Sequence, residues 1–199
     1  MVEQITKDEL MVREILSAAK NLFSRHGLKK TTMEDIANAM GKGKSTLYYY
    51  FPGKIEIFEA VIDEELKNLL RLTRKVINMA PAAKDKLKAY ARTRVAAMEK
   101  FHNLSAVVHE NICSHIAHIL KLKEKHDDIQ INLIKEIIKG GVLSGEFKEI
   151  AESNIQLLSS TMVAAFRGIE LSLPASKSVK NYGNGPDLLV DIMVDGIKS

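Results

Sequence analysis

The stretch TTMEDIANAMGKGKSTLYYYFPGKIEIF, residues 31–58, decides the fold. Thr31 and Thr32 are both N-cap candidates, with Glu34 and Asp35 respectively three residues on, so either frame starts a helix with a capping box. Met33, Ile36, Ala37 and Met40 follow at spacings of three and four, one apolar face of a short helix. Gly41 supplies an exit that tolerates left-handed backbone. Ser45 to Phe51 then makes about two turns, stopped by Pro52-Gly53. Leu47, Tyr50 and Phe51 are expected inward, with Lys44, Thr46, Tyr48 and Tyr49 around the remaining surface. Two short helices crossing at a glycine turn form a helix-turn-helix, whose second helix enters a DNA major groove.

The residues Phe23, Gly27, Thr32, Asp35-Ile36-Ala37, Gly41, Lys44, Thr46-Leu47-Tyr48-Tyr49-Tyr50-Phe51, Lys54 and Ile57-Phe58 closely resemble the TetR/AcrR-type transcriptional regulators. The resemblance covers about the first quarter of the chain. It departs from the family pattern at Lys42, where a small apolar residue is usual, and at Gly43, where a serine cap is common. A glycine cap is weaker than serine by a few tenths of a kcal/mol, roughly, so a looser start to the recognition helix is expected. The resemblance implies DNA contacts from Thr32, Lys44, Ser45, Thr46, Tyr48, Tyr49, Tyr50 and Lys54. Ser45 stands where glycine is frequent, and Tyr50 is open between groove and core. Lys54 is expected to meet a phosphate and to root the helix leading to the effector domain.

Composition agrees with an all-α chain. Of 199 residues 46% are apolar, and there are only four prolines and eleven glycines. Apolar residues recur with helical period, and no segment alternates with period two. Cys113 is the single cysteine, so no internal disulfide forms. The longest uncharged stretch, residues 153–166, is too short to span a bilayer, and the first ten residues lack a signal-peptide pattern. A cytoplasmic protein without membrane partners is expected. Residues 1–54 carry nine Lys/Arg against six Asp/Glu, a net +3, while residues 55–199 carry twenty against nineteen. A charge this small could be a solvated face, but joined to the motif it supports phosphate contact.

The organisation expected is a helix-turn-helix domain over residues 1–53 and a larger helical effector-binding and dimerisation domain over 54–199, about nine helices in total. Thr6 with Glu9 starts the first helix, Val12, Ile15, Leu16, Ala19, Leu22 and Phe23 form its buried stripe, and Gly27 ends it. A connector runs from Lys54 to Met79 and stops before Pro81. Helices over residues 82–101 and 104–122 follow, then one capped by Asp127 or Asp128 and closing at Gly140-Gly141. A very apolar helix spans residues 154–173. A polar loop over 174–185, expected to be disordered, leads to a last helix with Pro186 in its first turn.

The last two helices carry more apolar surface than one chain can cover. With the family resemblance this implies a homodimer through Leu158, Thr161, Met162, Ala165, Ile169, Leu189, Ile192 and Met193. A two-fold dimer demands a near-palindromic double-stranded operator. For a small-molecule effector in a greasy pocket, lining by Tyr90, Arg94, Met98, Phe101, Ile112, His115 and Phe166 is expected, with Arg94 the anchor for an anionic ligand. Each has a plainer reading as core, a hydrogen-bonded histidine or a snorkelling arginine. His109 and Cys113, four apart, offer a metal-responsive alternative, but no clean paired-ligand spacing appears, and no metal or cofactor is expected. A helical-bundle enzyme is the rival from another class. It lacks a glycine-rich phosphate loop, a nucleophile elbow and carboxylate partners for the histidines. The expectation is a ligand-responsive DNA-binding regulator of repressor type.

Overall fold

The computed structural model describes residues 6–101, 103, 117–172 and 184–197. Among these there are eight helices and no strand. They are α1 (Lys7–Lys30), α2 (Met33–Ala39), α3 (Lys44–Tyr50), α4 (Lys54–Met79), α5 (Ala83–Lys100), α6 (Ala117–Leu143), α7 (Glu152–Ser172) and α8 (Gly185–Asp195). The chain divides into two compact units at Glu65/Leu66, inside α4.

The first unit is built as its sequence pattern dictates. Thr6 caps α1 in a reciprocal box with Glu9. Gly27, at φ 75°, breaks the regular helix, and one further turn carries the chain to Thr31. The choice between Thr31 and Thr32 falls to Thr32, whose hydroxyl takes the Asp35 amide at 3.1 Å while Asp35 accepts from the Thr32 amide at 2.8 Å. Thr31 is buried and instead donates to the Gly27 carbonyl at 2.9 Å. Gly41, at φ 63°, makes the turn between α2 and α3. Gly43 caps α3 without any side-chain hydrogen bond, the weak start expected. The core joins Ile15, Ala19 and Phe23 of α1 to Ile36 and Ala37 of α2, Leu47 of α3, and Ile57, Phe58, Val61 and Ile62 of α4. Phe23 meets Phe58 edge to face at 5.1 Å.

In the second unit a continuous core draws on Ile77 of α4, Leu87, Tyr90 and Ala91 of α5, Ile134, Ile137 and Ile138 of α6, Ile155, Met162, Val163 and Phe166 of α7, and Val190 and Val194 of α8. The corner after α6 locks it. Gly145, at φ 76°, turns the chain, and the Glu146 carboxylate accepts from the Ala83 and Lys84 amides at 2.7 and 2.9 Å. That carboxylate caps α5, whose own N-cap residue, Ala82, has no side chain for the task. Gly141 lets Phe147 close onto α6, because a Cβ there would stand 2.3 Å from the Phe147 ring.

Several expectations change. The helix start expected at Asp127 or Asp128 does not exist, since α6 runs unbroken through both. The segment KLKEKHDDIQ holds no glycine or proline, and Asp127 serves as an ion-pair partner of Arg167 rather than as a cap. α6 also passes through Gly140 and Gly141 to end at Leu143. The expected helix over 104–122 is described only from Ala117, where it is already α6, and most of the loop over 174–185 lies outside the described residues. No helix among the described residues is long and apolar enough to cross a membrane.

Candidate nucleic-acid interface

The surface around α3 is held from beneath by Leu47, which is wholly buried. With that face anchored, the 3.6-residue period turns Ser45, Tyr48 and Tyr49 to solvent. Tyr49 is 77% exposed and Tyr48 53%, large for aromatic rings on an ordered helix. Aromatic hydroxyls on short, rigid side chains suit contacts to phosphates and base edges. Thr46 and Phe51 are half-buried.

Lys44 reaches across to Glu34 of α2 at 2.6 Å, both side chains being half or more exposed. An exposed pair of this kind is held weakly, so the ammonium can exchange Glu34 for a phosphate. Thr32 is exposed at the start of α2, its hydroxyl engaged with Asp35 at 2.7 Å. That hydrogen bond, with the one from the Thr32 amide, holds the Asp35 carboxyl below its ordinary pKa.

Two residues are placed differently from the contact role the resemblance implied. The Tyr50 hydroxyl donates to Asp8 at 2.8 Å, tying the end of α3 to the start of α1, and its ring stacks edge-on to Tyr49 at 4.8 Å. The bond to Asp8 raises the Tyr50 pKa. Left open between groove and core, Tyr50 is half-buried and braces α3 against α1. Lys54 departs further. Its ammonium donates to the carbonyls of Leu28, Lys29 and Thr31 at 2.9, 3.2 and 2.9 Å. An ammonium has three hydrogens, and each has a main-chain acceptor. Without DNA, Lys54 is thus placed as a clamp on the end of α1. The signal in the sequence was Gly27, which leaves carbonyls of the last turn of α1 without helical partners.

The described residues expected at an effector site belong to the second unit. Tyr90, Phe101 and Phe166 are buried, with the Tyr90 and Phe166 rings 5.3 Å apart, and Arg94 is only 7% exposed. The Arg94 guanidinium lies 3.2 Å from Nε2 of His126, which in turn is 2.7 Å from Nε2 of Gln130. Sequence reasoning did not place His126 or Gln130 beside Arg94. They are four apart on α6, and the break expected near Asp127 split the helix that aligns them. The Met98 side chain, Ile112 and His115 lie outside what is described, as do His109 and Cys113 of the metal alternative. Among the described residues no three of His, Cys, Asp and Glu gather as metal ligands. A separate open cleft of about 370 Å³ lies in the first unit, lined by Leu22, His26, Lys30, Thr31, Asp35 and Asn38.

The residues expected at a dimer face divide. Met162 is wholly buried in the core of its own chain, which corrects its assignment to a surface. Leu158, Ala165, Ile169, Leu189 and Met193 are half-buried, while Thr161 and Ile192 are exposed. The outward row of α7 is Leu157, Thr161, Ala164 and Gly168, spaced four, three and four, and that of α8 is Leu188 and Ile192. Leu157, Leu188 and Ile192 are 66%, 59% and 64% exposed.

A sequence profile described as "Bacterial regulatory proteins, tetR family" matches residues 15–61. The HTH-type transcriptional repressor KstR2 of Rhodococcus jostii is 25% identical over 196 residues, covering 94% of this chain and 90% of its own. A transcriptional regulator from Cytophaga hutchinsonii superposes with a TM-score of 0.78 at 26% identity, covering 94% of this chain and 98% of the other. The regulator FadR from Bacillus subtilis, solved in complex with stearoyl-CoA, shares the fold with a TM-score of 0.73 at 21% identity, covering 93% and 98%. The matched segment lies in the unit that presents Tyr48 and Tyr49, and the likeness of fold extends through the helices that follow it in the chain. Residues 15–61 thus match the tetR-family regulatory proteins, and the chain as a whole resembles such transcriptional regulators in sequence and fold.

Proposed function

We propose that this protein is a repressor that binds a near-palindromic operator as a homodimer and leaves it when an acyl effector enters the second unit. The observation that carries the DNA role is the α3 surface, where two tyrosines stay largely exposed on a helix whose opposite side is sealed by Leu47. Lys44 and Thr32 flank them for phosphates, while Tyr50 and Lys54 hold the reading helix and the end of α1 in place. Gel shift with DNA flanking the protein's own gene tests this reading. Binding should fall at least about tenfold for Tyr49→Ala, the loss of roughly one good base contact. A Tyr49→Ala protein that shifts the same DNA at unchanged concentration would refute the assignment.

The outward rows of α7 and α8 support the dimer. Three large apolar side chains there are more than half exposed, and the neighbouring positions of α7 are small. A Cβ on Gly168 would meet nothing within 4 Å, so packing within the chain does not demand glycine there. A mid-helix glycine costs about 1 kcal/mol against alanine, a cost that close approach of a partner helix explains.

An acyl effector is supported by the fold shared with FadR and its stearoyl-CoA, and by the buried aromatic pair with a cationic group one turn away on α5. A long apolar chain with a polar end needs those two environments side by side. α4, continuous from Lys54 to Met79, contributes side chains to both cores and is the proposed carrier of the response. The ligand acts only through its different affinity for the two states.

A further inference from the structure

The core of the second unit holds a group of polar side chains that DNA binding does not use. Arg94 of α5 faces His126 of α6, and Gln130, one turn along α6, faces the same ring nitrogen. Gln130 is fully buried, and its Oε1 has no hydrogen-bond partner. Arg94 and His126 keep 7% exposure each, so the group meets accessible space at those two residues, with Gln130 sealed behind. Tyr90 lies one turn before Arg94 on α5, and its ring is 5.3 Å from that of Phe166.

The hydrogen bonds of this group conflict. Burial, then the Arg94 and Arg167 charges, lower the His126 pKa to about 3, so the ring is neutral and only one of its nitrogens carries a lone pair. A guanidinium only donates, so with Arg94 in place Nε2 is the acceptor and Nδ1 carries the proton. Two orientations then remain for the Gln130 amide, and both fail. With its nitrogen toward His126, two donors share one lone pair and Oε1 is orphaned. With its oxygen toward His126, acceptor faces acceptor. With the ring oriented as it is, the fault disappears if Arg94 moves away. His126 can then carry its proton on Nε2 and donate it to Gln130 Oε1.

We propose that this group is the polar end of the effector site, where an sp² oxygen ending an acyl chain, a carboxylate or a thioester carbonyl, draws Arg94 off His126 and lets the His126–Gln130 pair re-form with Oε1 satisfied. The inference rests on reading the second unit as an effector domain. It adds which atoms recognise the ligand and how its arrival changes the core. The ligand replaces one acceptor of the guanidinium by another, and the energy released by satisfying Gln130 is available only in the bound state. That makes the group a two-state element rather than a passive anchor.

The test is carried out on the full chain with ¹⁵N-labelled histidine, reading the His126 tautomer by two-bond ¹H–¹⁵N correlation. The probes are dodecanoate, dodecanoyl-CoA and, as a chain control, dodecyltrimethylammonium. Without ligand His126 should be the Nδ1–H tautomer. It should become Nε2–H on saturation with dodecanoate or with dodecanoyl-CoA, whichever source supplies the oxygen, and stay unchanged with the cationic amphiphile. A His126 that keeps its tautomer when either acyl compound saturates the protein, or an absence of binding by both, overturns the proposal. Gln130→Met removes the conflicted amide at similar volume and should weaken acyl binding about tenfold, one hydrogen bond's worth. Unchanged affinity in that variant also overturns it. Operator gel shifts on the same samples separate the two readings. Release by an acyl compound with His126 unmoved leaves the effector function standing and this mechanism refuted. A moved His126 without release leaves the site standing and refutes the effector function.

Discussion

At the scale of single residues, Lys54 carries the largest revision. The family resemblance implied a phosphate contact for it, yet three carbonyls at and just after the end of α1 already take its hydrogens. Bonds from a charged donor to part-buried acceptors contribute about 1.5–3 kcal/mol in net stability. Lys54→Met, which keeps the apolar stem, should therefore lower the unfolding free energy by about that amount in urea titration. The slope of log binding constant against log salt should change by less than the roughly 0.9 expected for one lost phosphate contact. A full unit lost from the slope with unchanged stability would restore the phosphate role. The amide of Gln130 teaches the same lesson. Its type and position were plain to read, but the conflict it takes part in depends on an arginine 36 positions earlier in the chain.

At the scale of elements, α8 is held to α5 by a ladder of charges. Lys84, Lys88 and Arg92, each four apart, face Asp195, Asp191 and Asp187 in antiparallel order. Lys84 and Lys88 both reach Asp191 at 2.8 Å. The hydrogen bonds from Lys84 and then Lys88 lower the Asp191 pKa. A carboxylate with a depressed folded pKa adds stability that is complete above its unfolded value, about pH 4, and is lost as pH falls through the folded one. Amide protection along residues 186–194 should thus hold from neutrality to about pH 4 and decline below it, with Asp191→Asn removing the step. Protection that declines identically in Asp191→Asn would show that the ladder does not hold the helix. The periodic charges were legible in the sequence, but their pairing was not, because α5 and α8 are some hundred residues apart. The continuity of α6 was misjudged for a related reason. Asp127 and Asp128 are acceptable caps locally, and the helix continues because His126 and Gln130 of that turn are buried in the core while Asp127 pairs with Arg167.

At the scale of the whole molecule, the outward rows of α7 and α8 are the surface proposed for assembly. Leu157→Asp with Ile192→Asp should yield a monomer by sedimentation at micromolar concentration, with helical content retained, since both positions are more than half exposed in the single chain. Operator affinity should fall steeply, because one reading helix alone sees a half-site. A double variant that sediments as a dimer would move the interface elsewhere.

By itself the sequence determined the all-helical class, the helix-turn-helix over α1 to α3, its caps at Thr6 and Gly43, a cap at Thr31 or Thr32, and the turns at Gly27 and Gly41. Each of these is a local matter, settled by hydrogen bonds and backbone torsions within about five residues. Only the tertiary structure decided which side of an apolar helix is core. It placed Met162 inside and Leu157 outside, gave Lys54 its carbonyl partners at the end of α1, and brought Arg94, His126 and Gln130 together. Helical period names the faces of α7, but which of them a neighbour covers depends on segments far along the chain. Long-range packing makes that choice, and no local spacing encodes it.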